Sequence, residues 1–116
     1  MTAVTVKRDT ASTVQCMKAM SDPTRLLIMK LVQKKAYCVC QFVDMFEMSQ
    51  PAISQHLRKL KMAGLVREER RGQWRFFSMN DEFGARDLVL SILNQLDDED
   101  ETLRAIQSKE KAVSCD

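Results

Sequence analysis

Four cysteines stand in this chain of 116 residues, and two of them, Cys38 and Cys40, are separated by a single residue. That spacing is awkward for a mutual disulfide. A chain of this length buries enough surface to fold without covalent staples. The thiols therefore read as ligands, redox switches or buried apolar groups. A second set is Gln50, Ser54, Gln55 and Arg58, the polar side of one short segment. Gln pairs bidentately with adenine and Arg with guanine when they are carried near the start of a helix lying in a major groove. Ser49 and its neighbouring amides suit a phosphate at a helix N-terminus, and Lys59 and Lys61 suit backbone phosphates. A third set, Arg70 and Arg71 with Gln73, flanks Gly72 and suits an adjacent minor groove or the phosphate backbone.

These side chains need elements to hold them. Glycine and proline are scarce (three and two), which favours helices. Thr13 to Met20 carries Val14, Met17 and Met20 at helical spacing. Asp22 and Pro23 are a cap and first-turn pair for a second helix with Leu27, Ile28, Leu31 and Val32 inward. Cys38 to Phe46 predicts a short third helix. Ser49 caps a fourth, with Pro51 in its first turn, Ile53, Leu57 and Leu60 buried and Gly64 as its stop. Leu65 to Met79, extended and aromatic-rich around Arg70-Arg71-Gly72-Gln73, predicts a β-hairpin. Trp74, Phe76 and Phe77 read as sheet and core packing. Asn80-Asp81 caps a last helix bearing Phe83, Leu88, Val89, Ile92, Leu93 and Leu96.

The fold expected is mostly α with a small β-hairpin: a winged helix-turn-helix of five helices plus wing. Residues 1–97 form the DNA-binding and dimerisation domain, and residues 98–116 an acidic, flexible C-terminal tail. Hydrophobic residues at 45% and charged residues at 29% exclude wholesale disorder. No apolar run reaches membrane-spanning length and the N-terminus lacks a signal-peptide core, so a cytoplasmic protein is expected. The net charge of +2 is uninformative until it is mapped. From Arg58 to Arg75 the bases Arg58, Lys59, Lys61, Arg67, Arg70, Arg71 and Arg75 face Glu68 and Glu69, whereas the end of the chain is acidic. A basic segment of this kind is the footprint of a phosphate-binding face.

His56 is the sole histidine and falls in the fourth helix, where it reads as a DNA-face or packing residue. No Cys–His nucleophile set is visible, so no enzyme is expected. The eight methionines read as core filler.

Three motifs in register carry a family resemblance: Met20-Ser21-Asp22-Pro23-Thr24-Arg25-Leu26, Cys38-Val39-Cys40, and Ser49-Gln50-Pro51-Ala52-Ile53-Ser54-Gln55-His56-Leu57 followed by Leu60-Lys61-Met62-Ala63-Gly64-Leu65-Val66. Over residues 13–96 the chain resembles the ArsR/SmtB family of winged-helix bacterial repressors. The resemblance implies a homodimer joined through its first and last helices. That dimer binds a palindromic double-stranded DNA operator and is released by an inducer. The residues implied for DNA are Ser49, Gln50, Ser54, Gln55, His56, Arg58, Lys61, Arg70, Arg71 and Gln73.

In the family's arsenite and soft-metal sensors the cysteine pair supplies thiolates to As(III), Sb(III), Cd(II) or Pb(II), soft centres that suit sulfur. The resemblance thus makes Cys38 and Cys40 the inducer ligands, with Cys16 or Cys115 as a third, and implies no constitutive cofactor. The sequence departs from the arsenite pattern in having Val43 where a third cysteine stands. Ala36-Tyr37 and Gln41 replace the usual neighbours of the pair, and no histidine follows His56, which removes the C-terminal zinc site. Two helical residues i and i+2 lie about 200° apart, so chelation by both thiols requires a distorted helix start. Two alternatives stay open: a thiol-redox or metal-independent repressor of the same fold, and an interaction module whose basic face binds an acidic protein.

Overall fold

A computed structural model of the chain describes residues 9–82, 84 and 86–113. Helix α1 (Thr10–Met20) is capped by Asp9, whose carboxylate accepts from the Ser12 amide at 2.7 Å. Helix α2 (Pro23–Val32) follows a two-residue break. Asp22 caps it by accepting from the Arg25 amide at 3.0 Å, and Pro23 occupies its first turn. Strand β1 (Tyr37–Cys38) leads directly into α3 (Val39–Phe46). Glu47 then takes a left-handed backbone (φ 52°), which closes the turn into α4 (Gln50–Met62). Strands β2 (Val66–Arg71) and β3 (Trp74–Met79) form the hairpin, and α5 (Arg86–Gln95) and α6 (Glu101–Gln107) complete the order.

The sheet is antiparallel with strand order β1-β3-β2. Tyr37 pairs with Phe77 and Cys38 with Phe76, while the hairpin runs from Val66 opposite Met79 to Arg71 opposite Trp74. One core joins all the helices. Ile28 and Leu31 of α2, Phe42 and Met45 of α3, Ile53, Leu57 and Leu60 of α4, Phe77 of β3, Leu93 of α5 and Leu103 of α6 are each at most 2% exposed. The winged helix-turn-helix read from the sequence is the architecture found.

Four expectations need correction. The helices number six among the described residues: the stretch expected as a flexible tail holds α6, whose Leu103 and Ile106 are buried. Asp100 starts it by accepting from the Leu103 amide at 3.0 Å. Second, α3 begins one residue later than expected, because Cys38 is drawn into the sheet by its pairing with Phe76. Third, α5 starts at Arg86, so Asn80-Asp81 does not cap it. The Asn80 side chain instead donates to the Gly64 carbonyl at 2.9 Å and accepts from Arg67 at 3.1 Å. Fourth, the hairpin turn is Gly72-Gln73 alone, with Arg70 and Arg71 inside β2. Gly72 takes φ 61°, the positive φ that tight two-residue hairpin turns demand. Phe83 and Cys115 lie outside the described residues.

The apolar stripe expected on α1 divides. Met20 joins the core, whereas Val14 is 36% and Met17 47% exposed; on α5, Leu93 is buried and Leu88 is 37% exposed. The C-terminal end of α5 is held by Lys30, a buried lysine of α2 that donates to the Leu93 carbonyl at 2.8 Å and pairs with Asp98 at 3.3 Å. Among the described residues no helix is long and apolar enough to cross a membrane.

Candidate nucleic-acid interface and thiol site

Helix α4 is set by strong local signals. Ser49 has extended backbone and its hydroxyl accepts from the Ala52 amide at 3.3 Å. Ile53, Leu57 and Leu60 fix the inward face, which leaves Gln50, Gln55, Arg58 and Lys61 exposed and Ser54 half-buried. His56 sits apart from this set. Its Nδ1 lies 3.2 Å from an Arg25 guanidinium nitrogen and 3.8 Å from the Asp22 carboxylate. Burial lowers its pKa, and the charges of Arg25 and Lys59 lower it further against the pull of Asp22. A neutral imidazole accepting from Arg25 at Nδ1 fits both facts. The same Arg25 donates to the Ala19 carbonyl at 2.8 Å, so this cluster fastens α4 to the α1–α2 junction.

The hairpin is fastened to α4 by Glu68. Its carboxylate accepts from Lys61 at 2.9 Å and from Arg75 at 2.6 Å, and these two cations pull its pKa down to about 2. Arg70, Arg71 and Gln73 are exposed at the wing end. Arg71 pairs with Glu69 and lies over the Phe76 ring at 4.5 Å from its centre. Glu68 thus ties the hairpin to the outward face of α4.

The cysteine pair lies beside α4 and the wing. Cys38 is buried and Cys40 half-buried, and the Cys40 thiol faces the Cys38 sulfur at 3.2 Å. No distortion of α3 is needed. Cys38 is the residue before the helix (φ −82°, ψ 150°) and Cys40 lies in its first turn, so the helical 200° separation does not apply. Burial, the hydrogen bond to Cys38 and that neighbour's charge push the Cys40 thiol up to about 11. Both cysteines line a cavity of about 370 Å³ together with Val43 of α3, Gln50 of α4, and Trp74 and Arg75 of β3, with Gln73 at its wing end.

Cys16, a candidate third ligand, lies in the hydrophobic core on α1. Among the described residues no group of three or more His, Cys, Asp or Glu is placed to hold a metal ion.

Sequence reasoning missed Gln41. Its side-chain oxygen accepts from the Cys38 amide at 2.9 Å, and its nitrogen donates to the Lys111 carbonyl at 2.8 Å. A Gln three residues after a helix start is the far half of a capping box, a signal present in the sequence. Nearby, Tyr37 donates to Glu110 at 2.7 Å, and Lys109 pairs with Glu47. The C-terminal segment is therefore laced to both ends of α3.

The fold, the exposed polar face of α4 and the basic hairpin beside it define a winged helix-turn-helix protein of the DNA-binding type. The family model described as "Bacterial regulatory protein, arsR family" matches residues 22–68. An uncharacterized HTH-type transcriptional regulator of Methanocaldococcus jannaschii is 44% identical over 66 residues, covering 56% of this chain and 74% of that protein. The arsenical resistance operon repressor of Bacillus subtilis is 41% identical over 69 residues, covering 59% of this chain and 66% of that one. The arsenic resistance transcriptional regulator ArsR1 of Pseudomonas putida is 36% identical, and the match covers 56% of this chain and 52% of its length.

Among solved structures, HlyU of Vibrio cholerae superposes with a TM-score of 0.67 at 26% identity, covering 77% of this chain and 96% of that one. NolR of Sinorhizobium fredii superposes with a TM-score of 0.63 at 31% identity, covering 72% and 79%. The chain belongs to the ArsR family of transcriptional regulators, which are not enzymes. It spans about half to two-thirds of the arsenic regulators it matches.

Proposed function

We propose that this chain is a homodimeric transcriptional repressor that leaves its operator when a thiophilic inducer bridges Cys38 and Cys40. DNA recognition uses Gln50, Ser54, Gln55 and Arg58 in the major groove, with Ser49 and Lys61 on phosphates and Arg70, Arg71 and Gln73 at the wing. The observation that carries the reading is the shared cavity. Two cysteines whose sulfurs lie 3.2 Å apart line the same cavity as Gln50, in the first turn of α4, and Gln73, at the tip of the wing. A ligand that pulls the sulfurs together or fills that space bears directly on two DNA-contacting elements.

Trivalent arsenic and antimony fit a Cys40 thiol held protonated. Each As–OH or Sb–OH that exchanges takes up a thiol proton and leaves as water. A divalent ion such as Cd(II) or Pb(II) must expel the proton of a Cys40 thiol held above its ordinary range. The raised thiol also weighs against peroxide sensing, which requires the thiolate.

Fluorescence anisotropy of the reduced protein on its own upstream duplex tests both halves. The duplex should be retained over a random duplex of equal length by about a thousandfold or more, the usual margin of specific over non-specific binding. Arsenite, antimonite, cadmium and lead are then added in turn, and the trivalent metalloids should release the DNA. Equal retention of random duplex contradicts the repressor, and indifference to all four ions contradicts the inducer site.

A further inference from the structure

We infer that the Glu68 carboxylate occupies the seat of a DNA backbone phosphate between α4 and the wing, and that Lys61 and Arg75, which it holds, are the cations that take that phosphate when DNA arrives. The inference rests on the reading that α4 enters a major groove with the wing beside it. It adds Arg75 to the DNA contacts and makes Glu68 an internal competitor for them.

The first argument is placement. With α4 in a major groove and the hairpin tip at the adjoining minor groove, the strand that divides the two grooves must cross the gap between α4 and the hairpin. That gap is a cavity of about 210 Å³, lined by Ser54, Arg58 and Lys61 of α4 and by Glu68, Arg75 and Phe77 of the hairpin. A phosphate of four oxygens, at about 30 Å³ for each water-sized atom, needs roughly 120 Å³ and fits. Strand alternation supplies the lining. Glu68 stands opposite Phe77 and Arg70 opposite Arg75, so all four share one face of the hairpin.

The second argument is charge. The two Glu68 oxygens accept from two cations on different elements, Oε1 from Lys61 at 2.9 Å and Oε2 from Arg75 at 2.6 Å. The two free oxygens of a backbone phosphate present the same pair of acceptors with the same charge. Fastening the hairpin does not require that charge, because a neutral Gln oxygen also accepts from Lys and Arg. A carboxylate on a face that meets phosphates repels them, so its cost falls on DNA binding.

The third argument is access. The Lys61 and Arg75 side chains are 54% and 36% exposed, whereas that of Glu68 is 19% exposed and lies beneath them. The cations are therefore the outward partners and can exchange the carboxylate for a phosphate at the surface. Such an exchange is the same on any sequence. It sets how tightly every duplex is held at a given salt, while base contacts set which duplex is preferred.

Anisotropy of the reduced full chain on the upstream duplex and on a random duplex, at several salt concentrations, tests this. Each phosphate contact contributes about 0.9 to the slope of log affinity against log salt. Glu68→Gln keeps the shape and removes the charge, so its slope should be steeper than the parent's by about one on both duplexes. Its affinity at about 0.15 M salt should be about fivefold higher. Adding Arg75→Gln to Glu68→Gln should return the slope to the parent's value. Glu101→Gln removes an exposed carboxylate from α6 and should leave the slope unchanged. Glu68→Leu is the second variant should Glu68→Gln fail to fold, and it should steepen the slope likewise. A slope that stays the same or becomes shallower in the Glu68 variants overturns the inference, because Glu68 then only fastens the hairpin. Equal steepening in Glu101→Gln also overturns it, because net charge alone then accounts for the effect. Either result leaves the DNA-binding reading standing. A parent that holds neither duplex removes that reading and the inference together.

Discussion

The Cys38 amide donates to the Gln41 side chain at 2.9 Å, and with the pairing of Cys38 to Phe76 this bond holds the residue before α3 where its sulfur meets Cys40. Gln41 is buried and spends its other end on the Lys111 carbonyl. The thiol pair and the C-terminal segment are thus fixed by the same side chain.

Gln41→Ala leaves the Cys38 amide and the Lys111 carbonyl without that partner. A buried polar group so orphaned costs about 1–3 kcal/mol. The urea midpoint should fall accordingly, and the apparent affinity for arsenite should weaken as the sulfurs lose their fixed spacing. An unchanged midpoint removes Gln41 from the architecture.

Glu68 predicts a pH dependence. Its folded pKa, about 2, lies below the ordinary value of 4.5, so its contribution is complete above about pH 4.5 and fades as pH falls toward 2. With the carboxylate partly exposed, the contribution at neutral pH should be about 1–2 kcal/mol rather than the full linkage value. Glu68→Gln should be less stable than the parent by that amount at pH 7, and the two curves should converge between pH 4.5 and 2. A constant gap across that range contradicts the assignment.

Much of this was legible locally. Asp22 with Pro23, Ser49 with Pro51, and Gly64 each announce a boundary through their own chemistry, and the Ile53-Leu57-Leu60 stripe sets which side of α4 faces outward. What was illegible depends on distant partners. Strand β1 is two residues long and exists because β3 pairs with it. Helix α6 has two buried apolar residues in an acidic stretch, and its burial against α3 is a tertiary fact. The error about the thiols came from one residue of helix boundary, enough to turn two opposed side chains into neighbours.

The two classes of DNA contact should separate in salt. Arg58→Ala should cost about 1–3 kcal/mol and relax the preference for the upstream duplex, as expected of a base-reading side chain. Arg70→Ala should weaken all duplexes alike and reduce the slope of log affinity against log salt by about one. Anisotropy at several salt concentrations distinguishes them, and identical behaviour of the two variants contradicts the assigned roles.

The exposed apolar residues of α1 and α5 predict the assembly. Met17, 47% exposed, and Leu88, 37% exposed, should lie in a dimer interface. Sedimentation velocity should show two chains per particle for the parent and one for Met17→Glu combined with Leu88→Glu. A parent that sediments as a single chain at micromolar concentration contradicts the dimer.

The most direct test is release of upstream DNA by arsenite in Cys38→Ser and Cys40→Ser, each alone, beside the parent. If the two sulfurs act as one ligand, each variant retains the parent's DNA affinity and neither is released. Release of either single variant at the parent's arsenite concentration would contradict the claim that Cys38 and Cys40 together form the inducer site.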